Sequence, residues 1–209
     1  MATMVNGLFP GEMIPDAVVG GCIEIYENAW PNPAETIQRV EEEAAGQKVF
    51  WDKASTFGDG VLQKARTNRV INVSYTANVH DNPVLQNVHN QYRMLLLATS
   101  LPYSKRQNIS EELFHEDYQM LRYAEGEEYK QHYDGGTRTG RCVSAITYLN
   151  SDYEGGEIEF PFHRVKIKPE PGMLILFPSN YAYAHISHPI TKGTKYALVT
   201  WLRDQGNFN

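Results

Sequence analysis

The pattern of the second half of the chain restricts the fold more than any other feature of the sequence. From residue 118 onward, about seven short strand-like stretches alternate with turns that contain Gly and Pro. These stretches are residues 118–123, 141–150, 157–160, 165–168, 173–177, 181–186 and 196–203. Short strands with closely spaced turns are typical of antiparallel sandwiches and barrels, and they disfavour a parallel sheet.

Two amphipathic helices are predicted in the first half of the chain. The first begins at the capping residue Asn32, with Pro33 at its first helical position, and ends at Gly46. The second begins at residues 81–83, and we expect residues 100–102 to stop it because they include a proline. Neither helix can bury its apolar face alone, so we expect both to pack on the sheet.

The length and continuity of the sequence predict a single domain. Its 209 residues contain no internal repeat and no low-complexity linker. A further strand is predicted at residues 67–75, between the two helices. We therefore expect one domain over residues 1–209 that is mainly β with supporting α. Residues 1–115 would form the supporting helices and strands, and residues 116–209 would form the β core.

The composition excludes several classes of function. The net charge of −6 argues against a general nucleic-acid-binding surface, which needs a basic face. No apolar run is long enough to span a bilayer, and the N-terminus lacks the pattern of a signal peptide. Cys22 and Cys142 form neither a disulfide framework nor a zinc-site spacing. We therefore expect a cytoplasmic protein with no membrane partner.

Two histidines and one acid form a candidate metal site. His132 and Asp134 are two residues apart, so an extended chain would place both side chains on one face. His185 could complete the two-histidine, one-carboxylate set of non-haem Fe(II) oxygenases, which leaves coordination positions open. Lys195 follows His185 across a Pro/Gly turn, from which a cation could reach the same cavity. Asp134 could instead start a turn, and Lys195 could be a solvated strand lysine.

The remaining histidines are weaker candidates for the metal site. His188 competes with His185, but the odd spacing between them would turn their side chains to opposite faces of a strand. Four others are expected to have surface or core roles: His80, His89, His115 and His163. We therefore prefer His185 as the third ligand.

A longer series of spaced residues surrounds these candidates. It consists of Tyr123-x-x-Gly126-x-x-Tyr129-x-x-His132-x-Asp134, Arg141 with Tyr148-Leu149-Asn150, Glu154-Gly155-Gly156-Glu157 with Phe160-Pro161, Pro171-Gly172, His185 with Pro189, Gly193 and Lys195, and finally Trp201. With this series, residues 118–203 resemble the prolyl 4-hydroxylase branch of the 2-oxoglutarate- and Fe(II)-dependent dioxygenases. The resemblance implies a double-stranded β-helix, or jelly-roll, core with the N-terminal helices packed on one sheet.

The resemblance also implies a role for each matching residue. The iron ligands would be His132, Asp134 and His185. Lys195 would form a salt bridge with the distal carboxylate of 2-oxoglutarate, and Tyr123 would donate a hydrogen bond to the same carboxylate. Tyr129 and Arg141 match positions that face the peptide substrate, and Trp201 matches a position near the iron pocket.

The activity implied by the resemblance is hydroxylation of prolyl residues in a peptide or protein. Such an enzyme consumes O2 and 2-oxoglutarate, releases succinate and CO2, and is expected to use ascorbate as a reductant. One position departs from the family pattern. Ile158 stands where the family usually has a threonine whose hydroxyl approaches the cosubstrate. This change removes one possible hydrogen bond but leaves the metal ligands intact.

Three other functions remain open from the sequence. The protein could be an oxygenase that acts on a free amino acid or another small molecule, and the loop at residues 135–140 could close over either kind of substrate. It could be a non-catalytic, metal-binding β-sandwich, which would not need Lys195 or Tyr123. A nucleic-acid demethylase is disfavoured by the acidic charge balance and because such relatives typically hold the oxo acid with arginine.

Overall fold

A computed structural model describes residues 11–54, 65–110, 112–136 and 139–204. The strands are β1 (Ala17–Val19), β2 (Ile23–Tyr26), β3 (Asp52–Lys53), β4 (Arg69–Asn72), β5 (Leu113–His115), β6 (Gln119–Tyr123), β7 (Tyr129–His132), β8 (Arg141–Tyr148), β9 (Glu154–Gly155), β10 (Ile158–Phe160), β11 (Val165–Ile167), β12 (Leu174–Pro178), β13 (His185–Ser187), β14 (Ile190–Lys192) and β15 (Lys195–Asp204). The helices are α1 (Pro33–Ala45), α2 (Val73–Val79) and α3 (Pro83–Arg106). Part of the loop predicted at residues 135–140 lies outside the described residues.

Two antiparallel sheets face each other. Within the described residues, a nine-stranded sheet runs in the order β1-β2-β12-β8-β15-β6-β4-β3, with β5 paired to β15. A four-stranded sheet runs β11-β10-β13-β7, and β14 pairs with β9. Phe160 of the small sheet packs edge-on against Phe177 of the large sheet, with ring centroids 4.9 Å apart. The sheets therefore share one apolar layer, and the predicted mainly β, jelly-roll class is confirmed.

The central strand β15 serves two different layers of the protein. Side chains alternate between the two faces of a strand. Ala197 and Val199 face a cavity between the sheets, whereas Leu198 and Leu202 belong to the core that the helices cover. The near-continuous apolar character of this strand follows from burial on both faces.

The helices cover the outer face of the large sheet, as expected from their amphipathic pattern. Tyr92 of α3 is fully buried, and it packs against Trp30, which precedes α1, with ring centroids 6.0 Å apart. Leu174 and Leu176 of β12 lie in the same cluster. In the described part of the chain, no helix is long and apolar enough to cross a membrane.

The predicted end of the second helix is wrong, because α3 continues through Pro102 to Arg106. A proline inside a helix lacks the N–H that would bond to the carbonyl four residues earlier. Here that carbonyl, on Ala98, accepts a hydrogen bond of 2.9 Å from the backbone N–H of Met13. The N-terminal arm therefore supplies the missing donor, which sequence spacing does not reveal.

The strand predicted at residues 67–75 is correct only in its first part. β4 ends at Asn72, whose side-chain oxygen accepts a hydrogen bond of 2.9 Å from the N–H of Tyr75. An asparagine in this position caps a helix, so the chain turns into α2 instead of continuing as a strand. The alternating residues 73–75 thus belong to a helix that was not predicted.

A buried ion pair joins the N-terminal strands to the end of α3. Glu24 of β2 is only 1% exposed, and it accepts hydrogen bonds from Arg106 at 3.0 and 2.8 Å and from the Tyr26 hydroxyl at 2.6 Å. Burial alone would raise the pKa of Glu24, but the bonds from Arg106 and Tyr26 bring that pKa below its ordinary value. The carboxylate is therefore charged and depends on Arg106 for compensation.

We expect Arg106→Met to lower the free energy of unfolding by about 3 kcal/mol, because it leaves a buried carboxylate without its counter-charge. The double variant Arg106→Met/Glu24→Gln should be less destabilised than the single one, since it removes both charges. Urea denaturation measures both effects. Arg39→Met is the matched control, because Arg39 pairs with Glu35 on an exposed helix face. This substitution should lower the free energy of unfolding by less than about 1 kcal/mol. Equal losses for Arg39→Met and Arg106→Met would contradict the assignment.

Candidate metal centre

The three predicted ligands come together at one end of the small sheet. His132 is the last residue of β7, and the strand register places it directly opposite His185, the first residue of β13. Asp134 lies beyond the end of β7, so the chain turns before it instead of staying extended. One ligand atom from each of the three residues lies within 4.8 Å of the others. The separation is 3.5 Å from His132 Nε2 to Asp134 Oδ1 and 3.8 Å from His185 Nε2 to Asp134 Oδ2.

An asparagine cap sets the position of His185. The strand predicted at residues 181–186 begins only at His185, because the first part forms a short 3-10 turn, Tyr181–Tyr183. The Asn180 side chain accepts a hydrogen bond of 3.0 Å from the N–H of Ala182 and thereby stabilises the turn. The turn brings His185 to the start of its strand, opposite β7.

Backbone carbonyls fix both imidazole rings. Nδ1 of His132 lies 2.7 Å from the carbonyl oxygen of Lys130, and Nδ1 of His185 lies 3.1 Å from that of Tyr183. A carbonyl only accepts hydrogen bonds, so each Nδ1 carries the proton. Each Nε2 then presents its lone pair to the space beside Asp134, which is the usual arrangement of a metal-bound histidine.

The charges of the three residues also suit a divalent metal. Burial lowers the pKa of His185 to about 4, with His132 acting in the same direction and Asp134 against it. Burial would raise the pKa of Asp134, but the two imidazoles and a hydrogen bond of 2.7 Å from Ser144 bring that pKa below its ordinary value. Two neutral nitrogens and one carboxylate fit Fe(II) and leave positions for other ligands.

The metal-binding candidates open into a small cavity between the two sheets. Its walls are mainly apolar and include Leu121, Ile146, Ile158 and Val199. Of the other residues predicted for the site, four line the same cavity: Tyr123, Tyr129, Lys195 and Trp201. Together with the candidate ligands, the predicted residues around this cavity lie on or just beyond four strands, β6, β7, β13 and β15.

Lys195 is buried in this cavity without an anionic partner. It is 2% exposed, and Nζ donates to the carbonyl oxygen of Gly156 at 2.7 Å and to the Ser187 hydroxyl at 2.9 Å. Among the described residues, no carboxylate lies within 4 Å of this ammonium group. Burial lowers the pKa of Lys195 to about 7, with Glu157 acting in the opposite direction.

Two tyrosines flank the ammonium group. Tyr123 pairs with Lys195 in the register between β6 and β15, and Nζ lies 5.1 Å from its ring centroid. Tyr148, on β8, has its ring centroid 5.3 Å from Nζ and lines the cavity. The sequence analysis matched Tyr148 to a motif but gave it no role. Its even spacing from Ile146 on the same strand places both residues on the cavity face, but Ile146 was recognised only in the structure.

The residues predicted to face the substrate occupy different environments. Tyr129 stacks on His132, with ring centroids 3.4 Å apart, and Trp201 lines the cavity. Arg141 is not among the cavity-lining residues, because its guanidinium lies 3.7 Å from the Trp201 ring and pairs with Glu116 at 2.9 and 2.6 Å. Glu116 was not predicted, since it lies in a polar segment without a motif.

Arg66 is a further cavity residue that the sequence analysis missed. It is 7% exposed, its Nε donates to the Asn68 side chain at 2.9 Å, and its guanidinium carbon lies 5.2 Å from the Tyr129 ring centroid. No local pattern identifies it, because it reaches the cavity only through the pairing of its segment with β7.

The competing histidine, His188, lies outside the cluster. Its Nε2 is 2.7 Å from Glu159 Oε2, and it does not line the cavity. The candidate set of ligands therefore remains His132, Asp134 and His185.

Comparison with known proteins agrees with this geometry. Residues 118–203 match the family described as the 2OG-Fe(II) oxygenase superfamily. A probable prolyl 4-hydroxylase of Arabidopsis thaliana is 33% identical over 119 residues, which cover 43% of this chain and 41% of the relative. The alignment thus spans less than half of that relative's length.

Two solved structures have the same fold. One is a prolyl hydroxylase from Trichoplax adhaerens in complex with a peptide fragment of the hypoxia inducible factor oxygen degradation domain, with a TM-score of 0.70, 18% identity and coverage of 88% of this chain and 84% of that one. The other is a viral collagen prolyl hydroxylase from Paramecium Bursaria Chlorella virus-1, with a TM-score of 0.61, 21% identity and coverage of 89% and 98%. At these identities, they establish the fold.

We expect His185→Ala to weaken binding of Mn(II), used as a redox-stable probe, by at least about 100-fold, because it removes one of three ligands. His188→Ala is the matched control and should change the dissociation constant by less than about twofold, the scale of a near-neutral surface change. Isothermal titration calorimetry on the metal-free protein measures both. A larger loss in His188→Ala than in His185→Ala would exchange the two assignments.

Proposed function

We propose, from the premise that residues 118–203 belong to the 2OG-Fe(II) oxygenase superfamily, that this protein is a 2-oxoglutarate-dependent dioxygenase that hydroxylates prolyl residues in a peptide or protein. One observation carries the proposal. The buried ammonium of Lys195, which has no anionic partner among the residues that the structure describes, shares a cavity with His132, Asp134 and His185. A metal site alone would not need a buried cation nearby, whereas a dicarboxylate cosubstrate does.

The two histidines and the aspartate would hold Fe(II) at the rim of the small sheet. When bound, iron of this kind supplies the oxidative decarboxylation of 2-oxoglutarate to succinate and CO2, coupled to hydroxylation of a C–H bond by O2. Ascorbate is proposed as the reductant that keeps the metal ferrous. The chain contributes ring orientation, through the carbonyls of Lys130 and Tyr183, and a charged carboxylate at Asp134.

Lys195 would pair with the distal carboxylate of 2-oxoglutarate. An isolated buried cation is costly, and an incoming carboxylate offsets this cost while fixing the acid at its far end. The apolar walls formed by Leu121, Ile146 and Val199 exclude water around the bound acid. Tyr123 is within reach of the same end of the cavity and is proposed to donate a hydrogen bond there.

The substrate side of the site is proposed at the opposite end of β15. Trp201 and Tyr129 line the cavity there, and Arg141 holds the Trp201 indole from behind. We propose that Tyr129 and Trp201 contact the peptide directly and that Arg141 acts through its contact with Trp201 and its pairing with Glu116.

We also propose that residues 1–209 form one domain, with residues 116–209 carrying the site. The pairing of β2 with β12 and of β4 with β6, across the two halves, supports this proposal. A cytoplasmic location is proposed as well, and it is supported by Cys22 and Cys142, which are both free thiols.

The direct test supplies Fe(II), ascorbate, O2 and 2-oxoglutarate together with a broad panel of proline-containing peptides. We expect succinate formation that depends on peptide, and a product that has gained the mass of one oxygen atom at proline, detected by mass spectrometry. Succinate formation without stimulation by any peptide would favour a small-molecule oxygenase. Absence of 2-oxoglutarate binding would favour a non-catalytic metal-binding sandwich.

We expect the affinity for 2-oxoglutarate to fall as the pH rises above about 7. The pKa of Lys195 is lowered to about 7 by burial, and only the charged ammonium pairs with a carboxylate. Below this pH the lysine is already charged, so the affinity is constant. Above it, binding must take up a proton, and the dissociation constant should rise about tenfold per pH unit until the pKa of the complex is reached. Calorimetry of the Mn(II)-loaded protein in buffers of different ionisation enthalpy measures this proton uptake.

Lys195→Ala completes the experiment. It should leave Mn(II) binding nearly intact, weaken 2-oxoglutarate binding at least about 100-fold and abolish the proton uptake. Lys192→Ala, which removes an exposed lysine paired with Glu154, should retain the wild-type pH profile. An unchanged affinity in Lys195→Ala would remove this residue from the site.

A further inference from the structure

The Lys195 ammonium group can donate one more hydrogen bond than it makes to the described residues. An ammonium has three donors and no acceptor. Two donors are used by the Gly156 carbonyl and the Ser187 hydroxyl, so one N–H remains for a ligand. Because Lys195 cannot accept, Ser187 must act as the acceptor in their contact. The Ser187 hydroxyl proton is therefore free to donate elsewhere.

The position of Ser187 directs this free proton toward the cavity. Ser187 lines the cavity together with Lys195 and Tyr123. It lies on β13 two residues after the candidate ligand His185, so the two side chains share one face of the small sheet. Tyr123 carries its own hydroxyl in the same cavity. Ser187 and Tyr123 can therefore each donate one O–H to a ligand.

The count of free donors matches one carboxylate. One N–H of Lys195 and the hydroxyl protons of Ser187 and Tyr123 are available in the same cavity, and the two oxygens of a carboxylate offer about four acceptor sites. Charge-assisted hydrogen bonds of this kind are stronger than those between neutral groups.

The strand register connects Ser187 to the unusual residue of the sequence. Ile158 of β10 pairs directly with Ser187 of β13. Directly paired residues present their side chains on the same face, with Cβ atoms about 5 Å apart, and both residues line the cavity. The hydroxyl that position 158 lacks therefore has a counterpart on the adjacent strand.

We propose that Ser187 is a cosubstrate-binding residue that donates a hydrogen bond to the distal carboxylate of the oxo acid and replaces a hydroxyl at position 158. The proposal rests on the proposed function, since it names the group that the far end of the cavity recognises. Lys195 and Ser187 would then together select a dicarboxylic oxo acid over a monocarboxylic one, because both bind the distal carboxylate.

The test compares two oxo acids on the Mn(II)-loaded protein by calorimetry. 2-Oxoglutarate carries the distal carboxylate, and 2-oxopentanoate has the same carbon chain without it. Ser187→Ala should weaken binding of 2-oxoglutarate by about 10-fold, the scale of one hydrogen bond to a charged group, and should leave binding of 2-oxopentanoate and Mn(II) within about twofold.

A second-site variant separates recognition from packing. Ser187→Ala/Ile158→Thr places a hydroxyl on the opposite strand and should recover most of the lost affinity. Ser187→Ala/Ile158→Val is the matched control, since valine has nearly the same shape as threonine but no hydroxyl. This variant should not recover the lost affinity for 2-oxoglutarate. Ser100→Ala, which removes a buried hydroxyl bonded to the carbonyl of Leu96 in α3, should bind both acids as the wild type does.

Different results would overturn the role of Ser187 and the proposed function. Equal losses for both oxo acids in Ser187→Ala, or equal recovery with valine and threonine, would overturn the role of Ser187 while leaving the proposed function intact. A wild-type protein that binds Mn(II) but does not prefer 2-oxoglutarate over 2-oxopentanoate would overturn the proposed function itself.

Discussion

The buried positive charge of Lys195, which has no carboxylate within 4 Å in the described part of the chain, is the constraint on which the rest of the site depends. An ammonium group removed from water without a counter-ion is unstable, and here burial has already moved its pKa to about 7. The Gly156 carbonyl and the Ser187 hydroxyl compensate part of the lost hydration. Gly156 can approach this closely because it has no side chain: a Cβ at this position would lie 2.5 Å from Ile190 and 2.8 Å from Tyr153. In the proposed function, a dicarboxylate would neutralise the residual charge.

Much of the candidate site was predictable, because its spacing is local. His132 and Asp134 are neighbours in sequence, and Lys195 follows His185 after one turn, so closeness in the chain suffices to group them. The period of two along a strand also pointed to Ser187 from His185, although Ser187 was not singled out. By contrast, the meeting of the two histidines depends on the register between β7 and β13, which no local pattern specifies.

The errors in the predicted fold arise from hydrogen bonds that the apolar pattern does not reveal, some of them local caps at Asn72 and Asn180 and others between distant segments. Pro102 fails to end α3 because Met13 satisfies the carbonyl of Ala98. Similarly, Glu116 and Arg66 enter the site through an ion pair with Arg141 and a contact with Tyr129. These partners are 25 or more residues apart in the chain. Local propensity predicts most helices and strands, but it does not identify hydrogen-bond or ion-pair partners that are distant in the chain.

β15 is buried on both faces, one against the cavity and the other against the core under the helices. Lys195 and Trp201 lie six residues apart on this strand, which corresponds to about 20 Å at the usual rise of a strand. β15 pairs with β6 and β8 on its two sides, and its other face is covered by the helical layer. The strand is therefore held on both edges and on its outer face along the length of the cavity. In the proposed function, the pairings that stabilise the sheet would also keep the cosubstrate end and the substrate end of the cavity at a constant separation.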